Sequence, residues 1–413
     1  MRQNPETMYQ AFHSHWVQVV LASAVAFVVL VALSIDFTAT QQQPVVVRSL
    51  PITPEPVRIK ARGLLERRGS SASLTIDLNN PDASFVSSSP PRECSAEEYL
   101  MSAGNRMTRK QLRSCLRNVH VLHQEFLEIP LNHPAKPDLP GCSNKNRYKS
   151  LWPNERSRIR IRKDDPEPTA QYINANYVRG YDGEPCAYIA TQGPLANTVE
   201  DFWELIWQER VPSVVMMTKL KEKNKTKCEP YIPTRVGSYA DLEVTVLRAI
   251  PKNGYYVRDV LLRKGTEVRQ LKHYWFTGWP DHKAPSSTAR QLLDLAQEVR
   301  AHSVTQRVRL GNDAPGSVLV HCSAGIGRTG CFIGAAIGMR QLEEEHMVDL
   351  LGIVCQMRVD RGGLIQTCEQ YEFLHHAMVL YEAQLPVTPT SAPLTLTSSS
   401  SSSHSSKVNS PTS

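Results

Sequence analysis

The sequence predicts an α/β (α+β) domain, a central twisted mixed sheet flanked by helices, behind an N-terminal transmembrane helix and a disordered linker. Three observations carry this. Val318-Leu319-Val320 reads as a buried strand that runs into a small-residue loop and then an apolar helix, Cys331 to Met339. Short strand-like and helix-like segments alternate through most of the chain after Cys94, the pattern of a sheet covered by helices. Residues 16–35 are an apolar run, and a stretch rich in Pro, Ser and Gln follows it.

With 413 residues, the chain holds one large domain or two smaller ones, plus tails. A net charge of +7 suits acidic partners or anionic lipid. The nine cysteines form no CxxC pair, and their odd count without metal-ligand spacing fits free thiols in a reducing compartment.

Residues 1–15 form a short tail. From Trp16 to Ile35 there is no Asp, Glu, Lys or Arg. As a helix this run is about 30 Å long, enough to cross a bilayer. Trp16 and Tyr9 suit one membrane interface. A cleaved signal peptide and a buried core helix are the alternatives. The run is long for a signal peptide, and its N-terminal flank has only Arg2 against Glu6. Arg48, Arg58, Lys60, Arg62, Arg67 and Arg68 follow it, which orients the C-terminal side toward the cytosol. The expectation is a single-pass signal anchor in the plasma or an internal membrane.

Residues 36–93 read as a disordered linker. Within it, residues 62–78 carry the basic pair Arg67 and Arg68, then alternating Leu74, Ile76 and Leu78. In an extended peptide those three apolar side chains share one side, so the segment suits an acidic patch beside apolar pockets. Ser70 follows Arg-Arg-Gly, a sequence that basophilic kinases favour, and phosphate there adds negative charge beside the arginines. Ser89 precedes Pro90 and is a second phosphorylation candidate.

The folded domain is expected over 94–385, with its core at about 124–382. Cys94 to Glu128 reads as helical, with Leu112, Leu116, Val119, Leu122 and Phe126 on one stripe. Further on stand Lys145-Asn146-Arg147-Tyr148-Lys149, Tyr172-Ile173-Asn174-Ala175-Asn176-Tyr177, Gln192-Gly193-Pro194 and a charged loop, Lys219 to Lys227. Residues 386–413, with an unbroken serine run from Ser398 to Ser403, cannot bury a core and read as a disordered tail.

The chemistry concentrates in His321-Cys322-Ser323-Ala324-Gly325-Ile326-Gly327-Arg328-Thr329. Glycines let the backbone turn sharply and aim successive N–H groups inward, and such a nest opening onto a helix N-terminus binds a tetrahedral oxyanion. Arg328 grips two oxygens of the same anion. The same field favours the thiolate of Cys322, a nucleophile aimed at phosphorus. A leaving oxygen needs a proton from the opposite side, and Asp281 in Trp279-Pro280-Asp281 is the candidate acid.

The spacing His-Cys-x5-Arg-Thr resembles the active-site loop of protein tyrosine phosphatases. The other motifs follow in that family's order from about Cys94 to Leu385. With the docking peptide ahead of them, the whole is similar to the kinase-interaction-motif subfamily, and Met217–Asn224 and Trp279–Lys283 look most like a membrane-bound, receptor-type member. The resemblance implies the tyrosine phosphatase fold and hydrolysis of phosphotyrosine through a cysteinyl-phosphate intermediate, with no metal or other cofactor. It makes Cys322 the nucleophile, Asp281 the general acid and Arg328 with residues 323–327 the phosphate cradle. It gives Thr329 the departing thiolate as partner and Gln366 the attacking water, with Gln370 helping. Tyr148 becomes the aromatic wall that makes the cleft deep, Glu222 the partner of Arg328, and Lys227 a neighbour of the acid loop. Trp279 anchors that loop, and His321 supports the cysteine loop. Ser150 stands where many relatives carry an Asp, so a carboxylate for the substrate backbone is missing. The implied partners are MAP kinases, held and dephosphorylated in negative regulation of their signalling, and no nucleic acid.

Overall fold

A computed structural model describes residues 94–386 except 138, 163–164, 166, 280–285 and 312–315, together with the backbone of residues 58–59. The expected membrane span at 16–35, the docking peptide at 62–78, Ser70, Ser89 and the tail beyond Pro386 lie outside the described residues. Among the described residues no helix is long and apolar enough to cross a membrane.

Nine strands form the central sheet: β1 (Arg158–Arg160), β2 (Tyr172–Val178), β3 (Tyr188–Thr191), β4 (Ser213–Met216), β5 (Val236–Tyr239), β6 (Leu242–Pro251), β7 (Tyr255–Lys264), β8 (Glu267–Phe276) and β9 (Val318–His321). Their order is β5-β6-β7-β8-β4-β9-β3-β2-β1. The inner pairs β8–β4, β4–β9 and β9–β3 are parallel, and antiparallel ladders extend both flanks. The mixed sheet expected from the alternation is therefore present. Every residue of β4 and β9 is buried, which is why both read as continuous apolar runs without alternation.

Helices cover both faces: α1 (Ala96–Ser102), α2 (Arg109–Cys115), α3 (Val119–Glu128), α4 (Val199–Gln208), α5 (Ser286–Leu310), α6 (Gly327–Glu345), α7 (Leu350–Asp360) and α8 (Cys368–Glu382). Successive residues of β9 serve opposite cores. Val318 and Val320 join the core under α5, α6, α7 and α8, and Leu319 joins the one under α4.

Cys94 to Glu128, expected as helical throughout, breaks into three helices. Ser95 caps α1 by accepting from the Glu98 amide at 3.1 Å, and Thr108 opens α2 with a capping box to Gln111. A short 3₁₀ turn, Leu116–Asn118, separates α2 from α3. The apolar stripe survives the breaks because Leu112, Leu122 and Phe126 all face one core.

Candidate active site

The site forms where β9 ends, at the carboxyl edge of the parallel strands, the usual ligand crevice of such sheets. The chain leaves His321, turns through residues 322–326 and enters α6 at Gly327. Gly325 has φ +71°, and a side chain there would lie 2.1 Å from the Thr191 carbonyl oxygen. Gly327 serves by space instead: a Cβ would press the Gln370 amide at 2.8 Å. The Gly325 N–H points back at Cys322 and donates to its Sγ at 3.2 Å. Cys322 itself is 5% exposed.

Arg328 projects from the first turn of α6. Its guanidinium meets Glu222 in two parallel bonds, Nη1 to Oε1 at 2.5 Å and Nη2 to Oε2 at 3.1 Å. The charged loop is a hairpin, Lys221–Glu222 against Lys225–Thr226, turned by Lys223 and Asn224 at φ 48° and 61°. That turn is what brings Glu222 to Arg328. Burial pushes the Glu222 carboxyl up, but the hydrogen bonds and charge of Arg328, with the Lys219 backbone and Lys227, outweigh it and hold the group below its usual range. Trp279, 9% exposed, lies 5.7 Å from the Arg328 guanidinium carbon and packs on Phe373 at 4.9 Å. Asp281 lies outside the described residues.

A cavity of about 320 Å³ opens over the sulfur, lined by Cys322, Ser323, Ala324, Gly327, Arg328, Glu222, Lys227, Tyr148, Leu151, Gln366 and Gln370. The structure thus brings together most of the residues singled out in the sequence. Tyr148, 39% exposed, stands at the rim with its hydroxyl 3.1 Å from Ser323 Oγ. Its loop is pinned by Gln192, which accepts from the Arg147 amide at 2.9 Å and donates to the Lys145 carbonyl at 2.7 Å. Gln370 accepts from the Gln366 amide at 2.8 Å, leaving the exposed Gln366 side chain at the mouth. Ile326 is buried behind the loop. Thr329 Oγ1 is buried and has no hydrogen-bond partner among the described residues. His321 is fully buried, bonded through Nδ1 to the Cys322 carbonyl and through Nε2 to Tyr231.

Arg361, which is not among the residues singled out in the sequence, buttresses the whole loop. It donates to the carbonyls of Gly325 at 2.8 Å and Ala324 at 3.2 Å, and to the Oδ1 atoms of Asn176 and Asn174, both at 2.8 Å. With those carbonyls drawn outward, the Gly325 amide is left facing the Cys322 sulfur. Burial lowers this guanidinium to about 10, and Tyr172 and Cys322 oppose the shift. The sequence signal was available: an arginine closing a helix whose other residues are mostly apolar.

A thiol at the floor of this cavity, the Gly325 amide turned to its sulfur and a clamped guanidinium on the wall define a phosphate-ester site of the cysteine type. The protein-tyrosine phosphatase family model matches residues 142–380, and the chain belongs to that family. It is 50% identical over 342 residues to receptor-type tyrosine-protein phosphatase R of Rattus norvegicus, covering 82% of this chain and 51% of the relative. Tyrosine-protein phosphatase non-receptor type 5 of Rattus norvegicus is 47% identical over 361 residues, covering 85% of this chain and 96% of that protein. Non-receptor type 7 of Mus musculus is 45% identical over 343 residues, covering 82% and 92%. The chain spans about half the length of the receptor-type relatives it matches. These relatives agree with the subfamily resemblance drawn from the motifs.

Proposed function

We propose that this chain hydrolyses phosphotyrosine in proteins and that its physiological substrates are MAP kinases held by residues 62–78, so that it opposes their signalling. The observation that carries the catalytic reading is the Gly325 amide on the Cys322 sulfur beneath a guanidinium clamped by Glu222. In this reading the phosphoryl oxygens bind the amides of residues 323–327 and Arg328. The Cys322 thiolate attacks phosphorus, the P–O bond to tyrosine breaks, and Asp281 gives its proton to the phenolic oxygen. Water held by Gln366, with Gln370, then attacks the cysteinyl phosphate and loses a proton to Asp281. The P–S bond breaks and the electron pair returns to sulfur, where the Thr329 hydroxyl, without a partner among the described residues, donates to it. Tyr148 at the rim makes the cleft too deep for phosphoserine.

Residues 94–385 form the catalytic domain in this reading. Residues 16–35 anchor it in a membrane, with the domain on the cytosolic side. The linker 36–93 presents Arg67, Arg68, Leu74, Ile76 and Leu78 to the kinase, with Ser70 and Ser89 as regulatory phosphorylation sites. The support is the motif order and the similarity to receptor-type and non-receptor relatives.

The test assays phosphotyrosine, phosphoserine and phosphothreonine peptides with wild-type chain, Cys322→Ser and Asp281→Ala. Turnover confined to phosphotyrosine, abolished by Cys322→Ser, and stable capture of phosphoprotein by Asp281→Ala are expected. Undiminished turnover in either variant removes that residue from its role.

A further inference from the structure

Behind β9 runs a line of buried polar groups that the reaction above does not use. His321 Nδ1 is 3.1 Å from the Cys322 carbonyl oxygen, and its Nε2 is 2.7 Å from the Tyr231 hydroxyl. The same hydroxyl is 2.8 Å from His273 Nε2, and His273 Nδ1 is 3.2 Å from Arg258 Nη1. Tyr231, His273 and His321 are each no more than 1% exposed. Arg258, on β7, is half-buried with its guanidinium carbon 4.8 Å from the centre of the Trp275 ring.

Both ends of this line have fixed polarity. A carbonyl only accepts, and a guanidinium only donates. Between them, a neutral imidazole donates from one nitrogen and accepts at the other. Burial, then the charge of Arg147, brings His321 down to about 4, although its bond to the Cys322 backbone opposes this. Burial, with Arg258 and His321, takes His273 well below its usual value. Both rings are therefore neutral at pH 7. Facing a carbonyl, His321 must carry its proton on Nδ1, so Nε2 accepts from the Tyr231 hydroxyl. The Tyr231 oxygen is then left to accept from Nε2–H of His273, whose Nδ1 accepts from Arg258. One arrangement satisfies every group, and in it all the dipoles run from Arg258 toward Cys322 and reinforce one another.

Take away the guanidinium and only the Cys322 carbonyl still sets the direction, so the reversed line costs one mismatch instead of two. His273 is free to move its proton to Nδ1, the Tyr231 hydroxyl to turn toward it, and His321 to take the Nε2–H form. A bare Nδ1 then opposes the Cys322 carbonyl at 3.1 Å, acceptor against acceptor.

We propose that Arg258, remote from the cavity, is a positioning residue for Cys322: through His273, Tyr231 and His321 it holds the Cys322 carbonyl outward, so that the loop amides stay turned to the sulfur. The inference rests on Cys322 being the nucleophile, as proposed above. Among the described residues, the other ionisable groups around Cys322 include Arg328 and Cys331 on α6, Arg361 after α7, Cys228 after the hairpin, and Lys227 and Tyr148 on the cavity wall, with Glu222 acting through Arg328. Replacing Arg258 removes none of them.

Two measurements on the full chain test this. With ¹⁵N-labelled histidine, wild-type protein at neutral pH should show His321 as the Nδ1–H tautomer and His273 as the Nε2–H tautomer. The same tautomer at both positions overturns the proposal. Second, Arg258→Met should move the acid limb of kcat/KM for an aryl phosphate, and of Cys322 alkylation by iodoacetamide, upward by about half a unit to one unit. Arg258→Lys should bring it back. An unmoved limb in folded Arg258→Met overturns the proposal. Should that variant not fold, Tyr231→Phe cuts the line while keeping the ring, and an unmoved limb there overturns it equally. A wild-type chain inert toward aryl phosphate defeats the parent reading instead, and the tautomer measurement stands apart from that result.

Discussion

Arg361 holds Gly325 from behind: its Nε donates to the Gly325 carbonyl at 2.8 Å while its Nη1 and Nη2 reach Asn176 and Asn174 on β2. One side chain thus ties the loop that carries Cys322 to the strand next to the sheet edge opposite β5. It has no carboxylate partner in these bonds. Its charge is met by four neutral acceptors, which is affordable only because all four are already fixed by the fold.

Arg361→Met should expose that dependence. The two Asn oxygens and two carbonyls would be left buried without a donor, at about 1–3 kcal/mol for each acceptor that finds no substitute. A loss of several kcal/mol in urea unfolding is expected, with turnover of a small aryl phosphate falling on the order of 10²-fold as the loop amides lose their aim. Arg361→Lys keeps the charge but not the planar fork, and should fall between. Wild-type stability and turnover in Arg361→Met would make the contact idle.

Glu222→Gln tests the clamp on Arg328 through pH. The carboxyl is held below its ordinary value of 4.5, so its contribution is whole above that value and is lost as pH falls through the depressed one. Wild type should exceed Glu222→Gln by about 2 kcal/mol at pH 7, as for a hydrogen bond to a charged group. The gap should close as pH drops below 4.5. Urea midpoints at pH 7, 5 and 4 measure it. A gap that stays constant down to acid unfolding would detach Glu222 from Arg328.

What the sequence made legible was local. The strand, the loop and the start of α6 are consecutive, so Cys322, Gly325 and Arg328 could be placed from spacing alone. What it hid was long-range. Arg361 meets Asn174, Asn176 and Gly325, and Tyr231 meets His273 and His321, pairs that no period or short motif links. The run Lys219 to Lys227 looked the same whether solvated or functional; only the positive φ at Lys223 and Asn224 turns it into a hairpin that aims Glu222. In the opposite direction, the stripe from Leu112 to Phe126 concealed a 3₁₀ turn, because helices on either side of it face one core. Gly325 and Gly327, read together as turn glycines, have different causes, a left-handed backbone at one and the nearness of Gln370 at the other.

The docking peptide supplies the last prediction. If Arg67 and Arg68 bind an acidic patch while Leu74, Ile76 and Leu78 fill pockets beside it, a phosphotyrosine on the bound kinase meets the cleft at an effective concentration on the order of mM, set by the linker before Cys94. Arg67→Ala with Arg68→Ala should then raise KM for the phosphorylated kinase by on the order of 10-fold or more, and leave kcat/KM for a small aryl phosphate unchanged. Phosphate on Ser70 places nearly two negative charges beside the same arginines and should act in the same direction, on the kinase alone. The comparison of the two substrates is what separates docking from catalysis, because a fault in the Cys322 loop lowers both together. Equal loss on kinase and aryl phosphate would therefore sink the docking role, and equal affinity of the free peptide with and without its Ser70 phosphate would sink the switch.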